Sequence, residues 1–368
     1  MGQRKSGHVT LHDIARASGF SVSTVSIVLS EAPLSQNVAA TTRTHIRTIA
    51  QQLGYHPDAY ARSLRRRSTE TIGILAFDLS DPFCIPILRG IQDGVHEAGY
   101  LPLVMDAQTE RSLFDRYLHL LIERRADGVI VIANWVFQEE NLFGDIRKNH
   151  VPVLIVGRDL TAGGITSIMV DNEAGGALAT RHLYELGHRR IAVIRGPQGM
   201  CDSEPRWAGV RKVAGQSGLA LDSKLVFQLP GLADPRSGFE GGLSFSREML
   251  ASGREFSAVL AFDDLTALGV VRGLAEAGLR IPDECSVMGF DDVLPAEVAT
   301  PPMTTIRQPL REMGVEAADW VLQAIRKSPG REQKVRLHKT RPELVVRMST
   351  APPSGHGGAG RANRRRSS

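Results

Sequence analysis

The sequence has little cysteine and no long apolar run. Its three cysteines (Cys84, Cys201 and Cys285) lie far apart, and no two of them form a C-x-x-C pair. This spacing excludes a disulfide scaffold and a cysteine-rich zinc module, and it is typical of a reducing compartment. No apolar stretch reaches the roughly 18 residues of a membrane span. Because no apolar stretch follows the charged N-terminus, we expect no secretory signal and a cytoplasmic protein.

Motifs of enzymes and of metal sites are also missing. The chain has no G-x-G-x-x-G after an apolar strand, no G-x-S-x-G, no P-loop and no H-E-x-x-H. His8 and His12 are four residues apart, but no further metal ligand is evident. We therefore expect a protein that is not an enzyme and that uses neither a metal nor another cofactor.

The chain does have an uneven distribution of charge. Its formal net charge is +4, but residues 1–70 contain nine basic and four acidic residues, and residues 351–368 contain four arginines and no acid. Residues 71–350 therefore carry a net charge of −5. A basic head on a mildly acidic body suggests that the head binds a polyanion. A chance scatter of surface charges is the alternative.

The basic head has the pattern of two short helices around a glycine turn. Thr10 followed by Asp13 resembles a capping box at a helix start. Gly19 breaks this helix, because a tight turn favours a residue that tolerates positive φ. Ser21 and Thr24 then cap a second helix. These features outline a helix-turn-helix, with a three-helix bundle that does not bind DNA as the alternative.

Further features of the head extend this prediction. We expect Phe20 to be buried in the angle between the two helices, and a third helix to run over about 40–53 until Gly54 stops it. The second helix would then present to the major groove the side chains of Val22, Ser23, Ser26 and Ile27.

The segment YHPDAYARSLRRR (55–67) predicts a short hinge helix. Pro57 suits a first helical turn, and Leu64 is a lone large apolar residue among arginines. We expect Leu64 to insert between base pairs in the minor groove while the arginines hold phosphates. A solvated linker is the alternative. The predicted DNA-binding residues are Thr10, Ser21, Val22, Ser23, Thr24, Ser26, Ile27, Tyr55, Ala61, Leu64 and Arg65.

Several runs of sequence resemble the lactose-repressor family of bacterial regulators. They are VTLHDIARASGFSVSTVSIVLS (9–30), LGYHPDAYARSL (53–64), IGILAFDLSDPF (72–83), VDNEAGGALATRHLYELGHRRIAVIRG (170–196), AFDDLTALG (261–269), VMGFDD (287–292) and PPMTTIRQP (301–309). The resemblance covers about nine-tenths of the chain. It implies a transcription regulator, by expectation a repressor, that binds double-stranded DNA at a pseudo-palindromic operator as a homodimer.

One position departs from the family pattern. Ile27 stands where many members carry Arg or His at a base-contacting position. With Val22 and Ser23 it makes a small, largely apolar reading surface. Such a surface favours contacts to thymine methyl groups over a bidentate Arg–guanine pair.

The body alternates apolar runs with helix-like stretches, which predicts parallel sheets wound with helices. The resemblance implies a two-lobed α/β core like that of periplasmic sugar-binding proteins, behind a small all-α headpiece. The expected divisions are a headpiece (1–54), a hinge and linker (55–70), a core (71–349) and a disordered basic tail (350–368). Within the core, lobe 1 comprises 71–170 and 308–338, and lobe 2 comprises 171–307 and 339–349. The tail lacks apolar heptads, so we expect a dimer rather than a tetramer.

Polar and aromatic residues follow several predicted strands, where the ligands of such sheets bind. The resemblance implies that Arg206, Asp263, Asp291 and Gln308 hydrogen-bond sugar hydroxyls. The full set of predicted effector-binding residues is Asp78, Phe83, Trp135, Arg206, Asp263, Asp291 and Gln308.

Some of these residues have a second interpretation. Arg206 could be a surface charge and Phe83 a core residue, and we expect the neighbouring Asp264 and Asp292 to cap helices. The predicted effector is a monosaccharide or a derivative, with a purine or a phosphosugar as alternatives. A solute-binding receptor that does not regulate genes is the competing function.

Overall fold

The computed structural model describes residues 9–30, 33–55, 68–123, 126–133, 151–231, 236–327 and 334–354. The chain divides into two compact units, of which the first ends at Glu70 and the second begins at Thr71. No helix within the described ranges is long and apolar enough to cross a membrane.

The described part of the first unit contains three α-helices. They are α1 (Leu11–Ser18), α2 (Val22–Leu29) and α3 (Ala40–Gln52), with a 3₁₀ turn at Pro33–Asn37 between the last two. The side chain of Thr10 caps α1 in a capping box with Asp13, and Gly19 ends the helix at φ 74°. Burial of one apolar stripe from each helix holds the unit together, and its core is formed by Ile14, Ala15, Val25, Val28, Ile46 and Ala50. The predicted capping box, glycine turn and third helix are confirmed.

Phe20 departs from the prediction for this unit. Its side chain is 36% exposed, so it is not enclosed in the angle between α1 and α2. The ring instead packs edge-on against His45 of α3, with ring centroids 6.2 Å apart. The buried residues of α1 are instead Ile14, Ala15 and Ser18, all of which precede the glycine turn.

The first lobe of the second unit is built on a six-stranded parallel sheet. Its strands are β1 (Thr71–Ala76), β2 (Leu101–Asp106), β3 (Gly128–Ile132), β4 (Val153–Val156), β5 (Thr166–Val170) and β11 (Leu337–Thr340), in the spatial order β11-β5-β4-β3-β1-β2. Among the residues that the structure describes, three helices pack on it: α4 (Cys84–Glu97), α5 (Arg111–Ile122) and α11 (Leu310–Arg326). Strands β3, β4 and β5 are buried at every position, as expected for a sheet covered on both faces.

The second lobe has a four-stranded parallel sheet. Its strands are β6 (Ile191–Arg195), β7 (Val226–Gln228), β8 (Ala258–Leu260) and β9 (Ser286–Met288), in the order β7-β6-β8-β9. A short antiparallel pair, β10 (Thr305–Arg307) with β12 (Glu343–Val345), adjoins it. The helices of this lobe are α6 (Asn172–Glu185), α7 (Ser203–Ser217), α8 (Arg236–Ala251), α9 (Asp264–Glu276) and the short α10 (Leu294–Val298).

The chain crosses between the lobes three times. It leaves the first lobe after β5, returns to it after β10, and leaves it again after β11. Strand β11 pairs with β5 as far as Thr340. The expected division between residues 338 and 339 therefore cuts through a strand, and the last segment of the first lobe ends two residues later.

The segment after β12 packs on the second lobe. The Ser349 hydroxyl donates to the Val287 carbonyl oxygen at 2.6 Å, and the Ala351 N–H donates to the Ser286 hydroxyl at 3.0 Å. Buried His188 also contacts the Ala351 carbonyl oxygen, with its Nε2 atom at 2.9 Å. The predicted disordered tail therefore cannot begin at residue 350, and residues 355–368 lie outside the described part of the chain.

Paired glycines allow three pairs of helices to approach closely. A Cβ atom on Gly90 of α4 would clash with a backbone oxygen of α11, and one on Gly314 of α11 would clash with α4. The same reciprocal arrangement occurs between α6 and α7, at Gly176 and Gly209, and between α8 and α9, at Gly242 and Gly269. These crossings fix the position of α7 and α9, whose N-terminal ends carry Arg206 and Asp263.

Candidate functional site

A cavity lies between the two lobes at the carboxyl ends of their strands. It encloses about 520 Å³ of space, part of which is open to solvent. The first lobe contributes the loop after β1, and the second lobe contributes the loops after β6, β8 and β9 together with α7 and α8. The lining residues are Asp81, Pro82, Phe83, Met200, Asp202, Arg206, Gly238, Phe262, Asp263, Leu265, Asp291 and Val293. This is where the topology of parallel sheets favours a ligand.

Arg206 is the central cation of this cavity. Its side chain is buried, so the interpretation as a surface charge is wrong. The guanidinium donates from Nε to the amide oxygen of Asn172 at 2.8 Å and from Nη1 to the carbonyl oxygen of Phe262 at 2.7 Å. It also lies over the Phe290 ring, with Cζ 3.7 Å from the ring centroid. A planar guanidinium suits this environment, because it can hydrogen-bond in its plane and stack on its face.

Two carboxylates of the second lobe pair with Arg206. Its Nη2 atom lies 3.4 Å from Asp291 Oδ1 and 3.7 Å from Asp202 Oδ2. Burial raises the pKa of both carboxyl groups, and the positive charge of Arg206 opposes the rise. Gln308 donates its amide to Asp291 at 2.5 Å and is not itself part of the cavity lining. In this structure Gln308 therefore positions Asp291.

Asp263 takes the capping role that was expected of its neighbour Asp264, and it also keeps its expected place in the cavity. Asp263 is the N-cap of α9, and its Oδ1 accepts the Thr266 N–H at 2.7 Å while the side chain lines the cavity. Asp264 points inward, where it accepts the Thr305 hydroxyl at 2.6 Å and the Val293 N–H at 3.0 Å. Asp264 therefore fixes the backbone around the cavity and is not the cap.

Asp292 also differs from its expected role as a cap. Helix α10 begins two residues later, and the residue before it is Val293, which makes no side-chain cap. Asp292 forms ion pairs with Arg307 at 2.7 Å and with Arg347 at 2.6 Å. These pairs tie the loop after β9 to β10 and to the segment that follows β12.

The first lobe presents Asp81 to the cavity. Asp81 accepts the Phe83 N–H at 3.0 Å, and its pKa is raised to about 7, chiefly by burial and then by the negative charge of Asp263. Asp78 turns to Ser80, whose N–H it accepts at 2.8 Å, and it does not line the cavity. Phe83 contributes to both the cavity wall and the core of its lobe, so its two interpretations are compatible. Trp135 lies outside the described residues.

Sequence reasoning missed five residues of this site: Asp81, Asn172, Asp202, Phe262 and Phe290. Asp81 and Phe262 stand next to predicted strand ends, so their positions in the sequence were a usable signal. The bond from Asn172 to Asp202, at 2.8 Å, joins residues that are thirty positions apart. No local pattern in the chain indicates that contact.

The headpiece presents its candidate DNA-binding residues on and before α2. Ser23 is exposed, whereas Val22, Ser26 and Ile27 are half-buried, and Val22 packs against the headpiece core. Helix α2 contains no charged residue.

The other predicted DNA-binding residues have structural roles or lie outside the described chain. Thr10, Ser21 and Thr24 are engaged in helix capping: the Ser21 hydroxyl oxygen accepts the Thr24 N–H at 3.1 Å. Tyr55 is half-buried against the same core. Ala61, Leu64 and Arg65 lie outside the described residues.

A helix-turn-helix headpiece followed by a two-lobed core with a polar cleft defines a DNA-binding transcription regulator. The first unit matches the family model "Bacterial regulatory proteins, lacI family" over residues 10–58, and residues 180–350 match that of the periplasmic binding protein-like domain. The chain belongs to the lacI family of bacterial regulatory proteins.

Similar proteins support this assignment over nearly the whole chain. The transcriptional regulator GalR of Escherichia coli is 30% identical over 345 residues, which are 94% of this chain and 96% of GalR. A Lac repressor dimer solved with operator and the anti-inducer ONPF is 27% identical, with a TM-score of 0.79, over 94% of this chain and all of that one.

Two further solved structures contain sugars. A complex of the regulator CelR with cellobiose is 28% identical, with a TM-score of 0.67, over 93% of this chain and all of that chain. A lacI-family regulator from Enterococcus faecium with bound ribose is also 28% identical. Its TM-score is 0.66, and the match covers 77% of this chain and all of that one.

Proposed function

We propose that the protein is a repressor that binds its operator as a homodimer. A small polar effector, a monosaccharide or a derivative, weakens or strengthens this binding. The observation that carries the effector proposal is the cavity between the lobes, with Arg206 and Asp291 on one side and Asp81 on the other. Structures of similar regulators with cellobiose and ribose support a sugar. The Lac repressor dimer on its operator supports the dimer.

The proposed effector site comprises Phe83, Arg206, Asp263 and Asp291 in the cavity, with Gln308 behind Asp291, and includes the predicted residues Asp78 and Trp135. Carboxylates accept hydrogen bonds from sugar hydroxyl groups, and Phe83 offers an apolar surface to a ring face. An effector changes operator affinity only if it binds two arrangements of the lobes unequally. A cavity whose walls belong to different lobes is a suitable place for such a ligand.

Isothermal titration calorimetry with a panel of sugars and nucleobases tests this site. We expect at least one sugar to bind, and the substitution Arg206→Ala to weaken its binding at least 100-fold, because Asp202 and Asp291 then lose their buried partner. Arg211→Ala is the matched control, since Arg211 lies on the exposed face of the same helix. Binding of nucleobases alone would rule out the sugar, and undiminished binding to the Arg206→Ala variant would rule out the site.

For the operator, we propose that Ser23, Ser26 and Ile27 of α2 read base edges in the major groove, with Val22 beside them. The capping residues Thr10, Ser21 and Thr24 are proposed to orient backbone N–H groups toward phosphates, with Tyr55 nearby. Because α2 has no charged side chain, methyl contacts and hydroxyl hydrogen bonds carry the readout. We also propose the hinge residues Ala61, Leu64 and Arg65 as contacts, with Leu64 inserted into the minor groove.

A gel-shift series tests the hinge. We expect Leu64→Ala to weaken specific operator binding at least tenfold while it leaves binding to random DNA within about twofold, since unstacking a base step is useful only at the specific site. Arg65→Ala is the comparison, because loss of a phosphate contact weakens both kinds of binding. Equal losses on operator and random DNA in the Leu64→Ala variant would contradict the insertion.

A further inference from the structure

The described residues that line the cavity carry an excess of negative charge. Among the described lining residues, the four carboxyl groups of Asp81, Asp202, Asp263 and Asp291 face the single guanidinium of Arg206. Arg158, a half-buried cation after β4, is not among the lining residues. Asp78, in the loop that carries Asp81, adds further negative charge nearby, and it helps to raise the pKa of Asp81. The described walls of the cavity are therefore unfavourable for an anion.

The guanidinium of Arg206, the one cation among the described lining residues, already binds protein groups. The Nε, Nη1 and Nη2 atoms of Arg206 bind Asn172, the Phe262 carbonyl oxygen and Asp291, and Asp202 lies within ion-pair distance. A ligand phosphate or carboxylate that took the place of Asp291 at Nη2 would have to displace that residue. Doing so would leave a buried carboxylate without its counter-charge, which is costly.

Two of the four carboxylates keep an oxygen available. Asp81 Oδ1 accepts the Phe83 N–H, and Asp263 Oδ1 accepts the Thr266 N–H. Within the described part of the chain, the second oxygen of each accepts no hydrogen bond. These two residues belong to different lobes, and their charges interact directly. The cavity thus presents two acceptor oxygens from opposite walls.

We infer that the effector carries a cationic group, such as the ammonium of an amino sugar or aminopolyol, which lies between Asp81 of the first lobe and Asp263 of the second. This inference rests on the proposed function, because it concerns the same cavity. An ammonium has three donors and one positive charge, so it can bind both oxygens and relieve their repulsion. The same contact joins the two lobes, so it couples ligand binding to their arrangement. Phosphosugars are excluded by the same charges.

Calorimetry on the full-length protein at pH 7 with matched sugar trios tests this inference. Each trio contains a neutral sugar, its 2-amino-2-deoxy analogue and its 6-phosphate, for glucose, galactose and mannose. We expect the preferred amino sugar to bind at least tenfold more tightly than its neutral parent, and no phosphate to bind. Asp263→Asn should reduce that preference to less than threefold. Asp319→Asn, which removes an exposed carboxylate of α11 in the first lobe, should preserve the preference.

The outcomes separate the inference from the proposed function. If a neutral sugar binds as tightly as its amino analogue, or a phosphosugar binds, the inference is wrong and the sugar-responsive regulator stands. The inference is also overturned if the wild type and the Asp263→Asn variant prefer the amino sugar equally. The thermal unfolding midpoint of the variant checks that it is folded. If no sugar binds and only nucleobases do, both proposals fail, and binding by no compound of either panel counts against both.

Discussion

At the scale of single residues, Asp81 makes the free energy of unfolding depend on pH. Its pKa rises from 3.8 to about 7, because burial and the nearby carboxylates disfavour its charged form. Above pH 4 the Asp81 carboxyl group is therefore still protonated in the folded state, whereas it is already ionised in the unfolded chain. The stabilisation that comes from this difference in protonation of Asp81 is complete below pH 3.8 and is lost as the pH rises to 7.

We expect Asp81→Asn to become more stable relative to the wild type as the pH rises from 5 to 8. An asparagine keeps the oxygen that accepts the Phe83 N–H and has no charge to bury. The difference should reach the order of 2 kcal/mol, given about 1.4 kcal/mol per pKa unit. Urea unfolding of both proteins at the two pH values measures it, with Asp319→Asn, at an exposed position of α11, as the control. A difference that stays constant with pH would show that Asp81 ionises normally.

Only part of the site could be predicted from the sequence at the level of single residues. The ends of β1, β8 and β9 could be predicted as the places that supply the site. Which carboxylate of each neighbouring pair enters the cavity could not be predicted. Asp263 and Asp264 differ by one backbone step, and the extended φ of −141° at Asp263 makes it the cap while Asp264 turns inward. That choice depends on Thr305 and Val293, which are remote in the sequence.

At the scale of helices and strands, the paired glycines allow the backbones of two helices to come into contact. Gly209 of α7 faces the backbone of Glu173 in α6, and Gly176 of α6 faces the backbone of Arg206 in α7. The distance between these helices therefore sets where the guanidinium of Arg206 lies. The helix-like stretch 174–186 in the sequence predicts α6, but it contains no signal for the contact between specific helices.

Gly209→Ala should destabilise the core by about 1–3 kcal/mol, because the added methyl group would force α7 away from α6. Gly215→Ala is a matched control on the same helix, since nothing lies within 4 Å of its added Cβ. It should stabilise the protein by about 0.5–1 kcal/mol. Thermal unfolding of the two variants measures both effects. If Gly209→Ala is as stable as Gly215→Ala, the crossing does not depend on the glycine pair.

Strand prediction succeeded where the sequence has a continuous apolar run and failed elsewhere. The predicted strands are the apolar runs 72–77, 101–105, 129–132, 152–156, 191–194, 258–262 and 286–289. They overlap β1 to β4, β6, β8 and β9. Strand β7 has only three residues, and β11 is exposed or half-exposed throughout. An edge strand that is held by backbone hydrogen bonds needs no apolar pattern, so the sequence carries no local sign of it.

At the scale of the whole molecule, the lobes are interleaved along the chain. A βαβ pattern is the same whether its strands enter one sheet or two, so the residues alone did not predict the division. Family resemblance supplied it. Pairing of β11 with β5, more than 160 residues earlier in the chain, is a contact that only the folded structure reveals.

For the whole molecule we expect reciprocal coupling between effector and operator. An effector that changes operator affinity at least fivefold must have its own affinity changed by the same factor when operator is bound. Fluorescence anisotropy with labelled operator, and calorimetry with and without operator, measure the two factors. The Arg206→Ala variant should keep its operator affinity but lose its response to the effector. Unequal factors in the wild type would show that the two ligands do not act on one equilibrium.

The three crossings between the lobes also set the order in which the protein is completed during synthesis. Residues up to 55 contain every helix of the headpiece core, so that unit can fold as soon as it leaves the ribosome. The first lobe lacks β11 until residue 340 emerges, and the second lacks β12 and its docked segment until residue 351. For most of the time that a ribosome takes to translate the chain, the DNA-binding unit exists without the part that controls it.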